Sequence, residues 1–417
     1  MGKKTKSKKK RGGGGGGKKG TVRFHNAPID GQQPQSPNNS SSEPHSNFVS
    51  TAGPGCYIAH LAPTITTDDE AAAAATAAID WLLGIEPFHP DDFDADALGD
   101  IPEIALDPDE HTVSVTNATA ARRVCYVTVY DVPVVGRGGR VLSSGVSIDS
   151  DGKERECITF IVLCPPTTFV HLGHLRLDRG QTLAEVELDS DVRDYEEHPD
   201  PDDTHPKRIG FPLMCSGSRD DNTAGDLAAE YLCTQGEGGH LTHYMTGNHH
   251  AVDFRCPEGT PCVAVCDGTV VECQDDNTLT GVAVGNMFKW NSISIRADDN
   301  DESGDGEDEG PLAETGENTN TSRGGPLYLE YVHIQSGSIC VKPGERVTRG
   351  QVICRSGGVG FSPEPHLHFS AFRSDDPTAP TVRVWFEARG DDCGENEGAL
   401  FLPIAGSFYN ECGEVAK

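Results

Sequence analysis

Thr260-Pro261-Cys262-Val263-Ala264-Val265-Cys266-Asp267-Gly268-Thr269-Val270-Val271 is the stretch whose reading decides the fold. Two runs rich in β-branched residues flank Asp267-Gly268, a pair suited to a tight hairpin turn. A second stretch has the same shape: Val341-Lys342-Pro343-Gly344-Glu345-Arg346-Val347-Thr348-Arg349-Gly350-Gln351-Val352-Ile353, turning at Pro343-Gly344. Further strand-type runs lie at 292–296, 327–333, 351–355, 366–373 and 382–386. They predict a mainly β, antiparallel, barrel-sandwich-like domain over 209–410. An acidic insertion at 298–325 interrupts it and lacks the apolar residues for a core, so it reads as disordered.

Outward from this domain the pattern changes. Residues 194–208, rich in acids, His and Pro, read as a linker. Short β-type runs at 111–115, 123–130, 157–164 and 168–175 predict a small β-sandwich over 111–193, with no catalytic constellation of its own. Residues 56–110 read as a short helix followed by an acidic, Pro-punctuated linker. The helix is capped by Thr67 and Glu70, carried by alanines 71–75 and ended by Gly84. Residues 1–55 are a basic, low-complexity tail expected to be disordered.

Charge bounds the partners. The first 23 residues hold ten Lys or Arg and no acid, which leaves 24 bases against 65 acids in the rest. Such an acidic body repels nucleic acid and anionic membrane, so no nucleic-acid partner is expected for it. No apolar run is long enough to span a bilayer. The basic start is not followed by an apolar stretch, so no secretory signal is visible, and an intracellular, reducing setting is the default. Fourteen cysteines are then expected to be free thiols; Cys256, Cys262, Cys266 and Cys273 crowd together but lack the Cys-x-x-Cys spacing of a structural zinc site.

The chemistry-bearing residues begin with His366-Leu367-His368-Phe369. Side chains alternate along a strand, so His366 and His368 share a face, roughly 6.6 Å apart. Asn248-His249-His250-Ala251-Val252-Asp253-Phe254 adds an imidazole and a carboxylate just ahead of another strand. Two histidines and one aspartate form a three-ligand set that leaves zinc an open position, as catalysis requires, whereas a structural site more often closes its shell with thiolates.

These segments resemble the lysostaphin/LytM-type zinc metalloendopeptidases. Their order, His-x-x-x-Asp, two Gly-turn hairpins, Tyr331-Val332-His333 and His366-Leu367-His368, follows the family pattern over about 225–375. The resemblance implies one zinc per chain, held by His249, Asp253 and His368, with His366 catalytic and His333 its partner. It further implies cleavage of a peptide or peptidoglycan-like substrate, commonly a glycine-containing cross-bridge. One position departs: the family's His-x-Gly-x-Asp has Ala251 in place of Gly. An alternative alignment uses Thr234-Gln235-Gly236, then Gly239-His240-Leu241-Thr242-His243, and makes His243 the first ligand; the sequence reading favours His249. Tyr331 reads as packing. The rival readings are an inactive relative that binds peptide or glycan, and a lipoyl-type carrier domain, for which the hairpin tips offer no suitable lysine.

Overall fold

The computed structural model describes residues 55–59, 85–87, 101–136, 139–149, 151–166, 168–195, 207–215, 230–239, 241–245, 247–298, 326–376, 379–390 and 393–415. The expected helix, the basic tail and nearly all of the acidic insertion lie outside these residues. The regular secondary structure of the described chain is almost wholly β-strand, with three single-turn 3-10 segments. Among the described residues no helix is long and apolar enough to cross a membrane.

The C-terminal half is organised on a nine-stranded antiparallel sheet. Its order is Arg346–Val347, Gly268–Gln274, Ser292–Ala297, Tyr328–Val332, His366–Phe372, Val252–Arg255, Tyr231–Gln235, Phe408–Asn410 and Gly413–Val415. A two-stranded sheet, Pro261–Val263 with Val352–Arg355, packs over it. Strand alternation sorts the side chains. Leu329, Tyr331, Phe254, Leu367, Phe369 and Ala371 point into a shared apolar core with Ile353 and Cys354 of the small sheet. Each fully buried Phe there contributes roughly 2–3 kcal/mol of burial. Tyr331 joins the two layers: its hydroxyl donates to the Val263 carbonyl (3.0 Å) and accepts from the Val265 amide (3.0 Å). Its role is therefore packing and hydrogen bonding inside the core. The intervening residues Asp253, His366, His368, Ser370 and Glu330 face the opposite side, where the cleft lies.

The N-terminal half is a two-sheet sandwich. One sheet holds Cys56–Ala59, Glu154–Cys164, Arg123–Tyr130 and Glu187–Asp194, with Gly145–Ile148 on Glu154–Cys164. The other holds Ile85–Pro87, Thr168–Leu175, Thr112–Asn117 and Glu103–Asp107, with Val134–Val135 on Thr168–Leu175. Val113, Val115, Cys125, Val127, Ile158 and Phe160 fill the space between them. Glu103–Asp107 comes from the segment read as linker. It pairs with Thr112–Asn117 as a hairpin and buries Leu106 fully and Ile104 in part, an alternation that the neighbouring Asp and Pro residues obscure. Cys393 and Cys412 are joined by a disulfide, against the expectation of thiols only; the other twelve cysteines form no disulfide.

Candidate metal centre and active site

The cleft floor is set by sheet register. Asp253 stands directly opposite His368, and Val332 flanks His368 on the other side. The Asp253 carboxylate oxygen Oδ1 lies 2.9 Å from His368 Nδ1. His243 arrives from the 241–245 turn and completes a triangle: its Nε2 is 3.3 Å from His368 Nδ1 and 3.3 Å from Asp253 Oδ1. All three side chains are buried.

The outer atoms of the triad are engaged elsewhere. His243 Nδ1 sits 2.9 Å from the Gly236 carbonyl, which can only accept, so Nδ1 carries the proton and Nε2 presents a lone pair inward. Gln235 Nε2 donates to Asp253 Oδ2 (2.6 Å), while Gln235 Oε1 accepts from the backbone amides of Leu241 and Thr242. One glutamine thus holds both the carboxylate and the turn that carries His243. In the sequence, Gln235 is marked only by its place in the Thr234-Gln235-Gly236 run of the alternative alignment, which assigns it no role.

His249 lies outside this triangle. It sits in the 247–250 turn before the Val252–Arg255 strand, with Nε2 3.9 Å from Glu237 Oε1. His250 Nε2 is 3.5 Å from the same oxygen, and the Glu237 carboxylate is engaged by Arg383 (2.7 Å). The physical reason is the path of the chain. Asp253 is fixed by strand alternation, whereas the histidine four positions earlier is on a turn that directs it away from the cleft.

His366 and His333 stand beside the triad, their rings 4.5 Å apart. His366 Nδ1 lies 2.8 Å from the Glu364 carbonyl and 3.1 Å from Ser362 Oγ. His333 Nδ1 lies 2.7 Å from the Val359 carbonyl. In each ring Nδ1 is therefore the protonated nitrogen, and Nε2 is left as a base. His333 holds a left-handed backbone (φ 64°), uncommon for a residue with a Cβ. The site so contains His243, Asp253, His368, His366 and His333.

Electrostatics set the protonation of Asp253, His333 and His368. Burial raises the Asp253 carboxyl, but the facing His243 and His366 outweigh it, and its pKa falls well below 3.8. Burial lowers His333 well below 6.5, helped by His366 and His368. Burial also lowers His368, against the pull of Asp253. His333 and His368 are thus neutral, and Asp253 is ionised, at neutral pH.

Glu330 is a different case. On the cleft wall opposite Ser370, its carboxyl is pushed up from 4.5 to about 7 by burial, partly offset by the Ser370 hydrogen bond. A folded-state pKa above the unfolded one means that stability is fully present below pH 4.5 and falls as pH rises through 7. Allowing for the partial exposure of Glu330, this amounts to about 1–2 kcal/mol. Chemical denaturation at pH 5 and pH 8 should show that loss in the wild type and little of it in Glu330→Gln; an equal loss in both would remove Glu330 as the source.

Residues 307–380 match the family described as peptidase family M23, and the chain carries a domain of that family, homologous to the LytM/lysostaphin-type endopeptidases. The matched span takes in His333, His366 and His368. Among curated relatives, the glycyl-glycine endopeptidase ALE-1 of Staphylococcus capitis is 32% identical over 123 residues, 30% of this chain and 24% of the relative. The chain thus spans about a quarter of that relative's length. Among solved structures, the catalytic domain of lysostaphin from Staphylococcus simulans is 26% identical, covering 33% of this chain and 78% of that one with a TM-score of 0.22. A mutant catalytic domain of the prophage-encoded M23 protein EnpA from Enterococcus faecalis is 21% identical, covering 37% and 88% with a TM-score of 0.24.

Proposed function

We propose that this chain is a zinc-dependent metalloendopeptidase that hydrolyses a peptide bond in a glycine-containing peptide or peptidoglycan-like substrate. One observation carries the reading: His243 Nε2, Asp253 Oδ1 and His368 Nδ1 stand 2.9–3.3 Å from one another. Donors held at about 2.0–2.1 Å around a tetrahedral zinc are roughly 3.3 Å apart. Two neutral imidazoles and one carboxylate suit zinc and leave a fourth position open. The glycine preference is drawn from the activity in the name of the ALE-1 relative.

His243, Asp253 and His368 would hold the ion, which supplies Lewis acidity that polarises the scissile carbonyl and acidifies the attacking water. His366 takes the proton from that water at Nε2 and returns it to the leaving amine. The Nδ1–H bond to the Glu364 carbonyl keeps the ring in the required tautomer and orientation. His333 has the same tautomer, so its neutral form accepts at Nε2. It becomes a donor to the developing oxyanion only after taking up a proton. Met287, Phe288 and Trp290 give the cleft an apolar wall that limits water beside these groups. Metal binding needs deprotonated ligands, so zinc and activity should both be lost in acid, and burial, which lowers His368, places that loss below pH 6.5 rather than at it.

Metal analysis of the full chain tests the ligand set. Wild type should hold one zinc per chain and cleave a glycyl-peptide library until a chelator is added. His243→Ala should lose the zinc, and His249→Ala should keep it. The opposite pattern would return the first-ligand role to His249, and a wild type without zinc would end the metallopeptidase reading.

A further inference from the structure

The first sheet of the sandwich is buried on both faces. Cys125, Val127 and Val129 point into the sandwich, while Val124, Tyr126 and Tyr130 on the same strand point out. Cys157 and Ile161 of Glu154–Cys164 join that outward set. They pack against Leu241, Tyr244, Val282, Val284, Met287 and Phe361 of the C-terminal half. Leu241 and Tyr244 bracket the ligand candidate His243, and Met287 and Phe361 line the cleft.

Hydrogen bonds at this face are directed at the same two segments. Tyr126 is fully buried, and its hydroxyl donates to the Leu241 carbonyl (3.0 Å) while pairing with the Tyr244 hydroxyl. The Tyr126 ring meets Phe361 edge-on at 6.2 Å. On the other wall the Val284 amide donates to Thr128 Oγ1 (2.9 Å), Thr128 and Thr159 hydroxyls pair (2.8 Å), and Thr159 donates to the Val282 carbonyl (2.5 Å). The Ala283 amide donates to Ser147 Oγ (2.8 Å). Gly281 makes the approach possible: at φ +104°, a Cβ there would fall 2.3 Å from the Val146 carbonyl oxygen. Farther out, the Arg193 guanidinium lies 4.6 Å over the ring of Phe288 on the cleft wall.

From these contacts we infer that the N-terminal sandwich is a working part of the catalytic centre, with Tyr126 as a positioning residue for the metal ligand His243. The inference rests on the zinc reading above. The Gly236 carbonyl orients the His243 ring, Gln235 holds the backbone amides of Leu241 and Thr242, and Tyr126 holds the Leu241 carbonyl. The turn is thereby fixed from both of its hydrogen-bonding sides. Without the Tyr126 hydroxyl, the Leu241 carbonyl and the Tyr244 hydroxyl lose a buried partner, and the turn gains freedom to draw His243 Nε2 out of the triangle.

The experiment compares full-length wild type, Tyr126→Phe and Tyr57→Phe. Tyr57 donates to the Ser143 carbonyl within the sandwich, away from the cleft, so its variant matches the loss of a tyrosine hydroxyl bond in the same domain. Zinc affinity is read by chelator competition, kcat with and without excess zinc, and exchange of the 241–245 amides by mass spectrometry. Tyr126→Phe should bind zinc about 10–100-fold more weakly, the range for lost supporting partners of a ligand. Excess zinc should restore most of its kcat, and its 241–245 amides should exchange faster. Tyr57→Phe should match wild type in all three. If Tyr126→Phe folds poorly, Tyr244→Phe removes the paired hydroxyl while leaving the Tyr126–Leu241 bond, and should show the same three changes in smaller measure. Zinc-loaded wild type with unchanged affinity in both variants at the interface overturns the positioning role alone. A wild type that binds no zinc overturns the underlying reading instead.

Discussion

On the zinc proposal, replacing His366 with alanine is expected to lower kcat by about 10²–10⁴-fold, the usual contribution of a positioned general base, with zinc content equal to that of the wild type. The geometry separates His366 from the ligand set. Its Nε2 is 3.9 Å from Asp253 Oδ1, beyond hydrogen-bond reach, whereas His368 on the same strand face is 2.9 Å from that oxygen. The His366 ring is held by the Glu364 carbonyl and Ser362, neither of which touches the triad. Removing the ring should thus leave His243, Asp253 and His368 as they are. Equal zinc content with collapsed turnover, and KM changed far less than kcat, would fit a group that acts on the proton in transit. Retained turnover would remove His366 from the mechanism, and lost zinc would make it part of the ligand set. Ser362→Ala should give a smaller fall, because the Glu364 carbonyl still fixes the tautomer.

How much of this could be read from the residues alone depends on the range over which each feature is determined. The shared face of His366 and His368 follows from two-residue alternation and holds in the structure. The strands Arg123–Tyr130 and Thr168–Leu175 have the expected bounds because β-branched runs ended by turn residues define them locally. The choice between His243 and His249 was not local. Both precede the Val252–Arg255 strand, and the decision lies with Gln235, whose side chain gathers the backbone of Leu241 and Thr242 onto Asp253. The one signal for His243 in the residues is the Gln235-Gly236 pair ahead of it. The link from sandwich to cleft was hidden for a similar reason: Tyr126 meets a carbonyl 115 residues away. Its strand did carry a trace, since Arg123–Tyr130 is apolar or hydroxyl-bearing on both faces after its first residue, as a strand covered on both sides should be.

Asp253→Ala should abolish zinc binding, reducing affinity by more than the ~10–100-fold that follows loss of a ligand's supporting partner. Asp253 is the only anion in the triad, so its removal leaves two neutral imidazoles to face a divalent cation. Its second oxygen also accepts from Gln235, and Gln235 in turn holds the His243 turn, so the change reaches His243 as well. Stability should respond in the same variant. Gln235 Nε2 keeps Thr242 Oγ1 at 3.2 Å but loses its acceptor at 2.6 Å, a cost of about 1–3 kcal/mol for the one N–H left unsatisfied. The pH dependence supplies an independent check. The Asp253 pKa is depressed in the fold, so its stabilisation is present above 3.8, the unfolded value, and is lost as pH falls through the lower folded value. Acid denaturation of the metal-free wild type should therefore steepen below pH 3.8, and Asp253→Asn, which keeps the shape but has no charge to lose, should flatten that limb. If Asp253→Ala retains stoichiometric zinc, the carboxylate is not a ligand, and the 2.9 Å contact with His368 is an ordinary buried hydrogen bond.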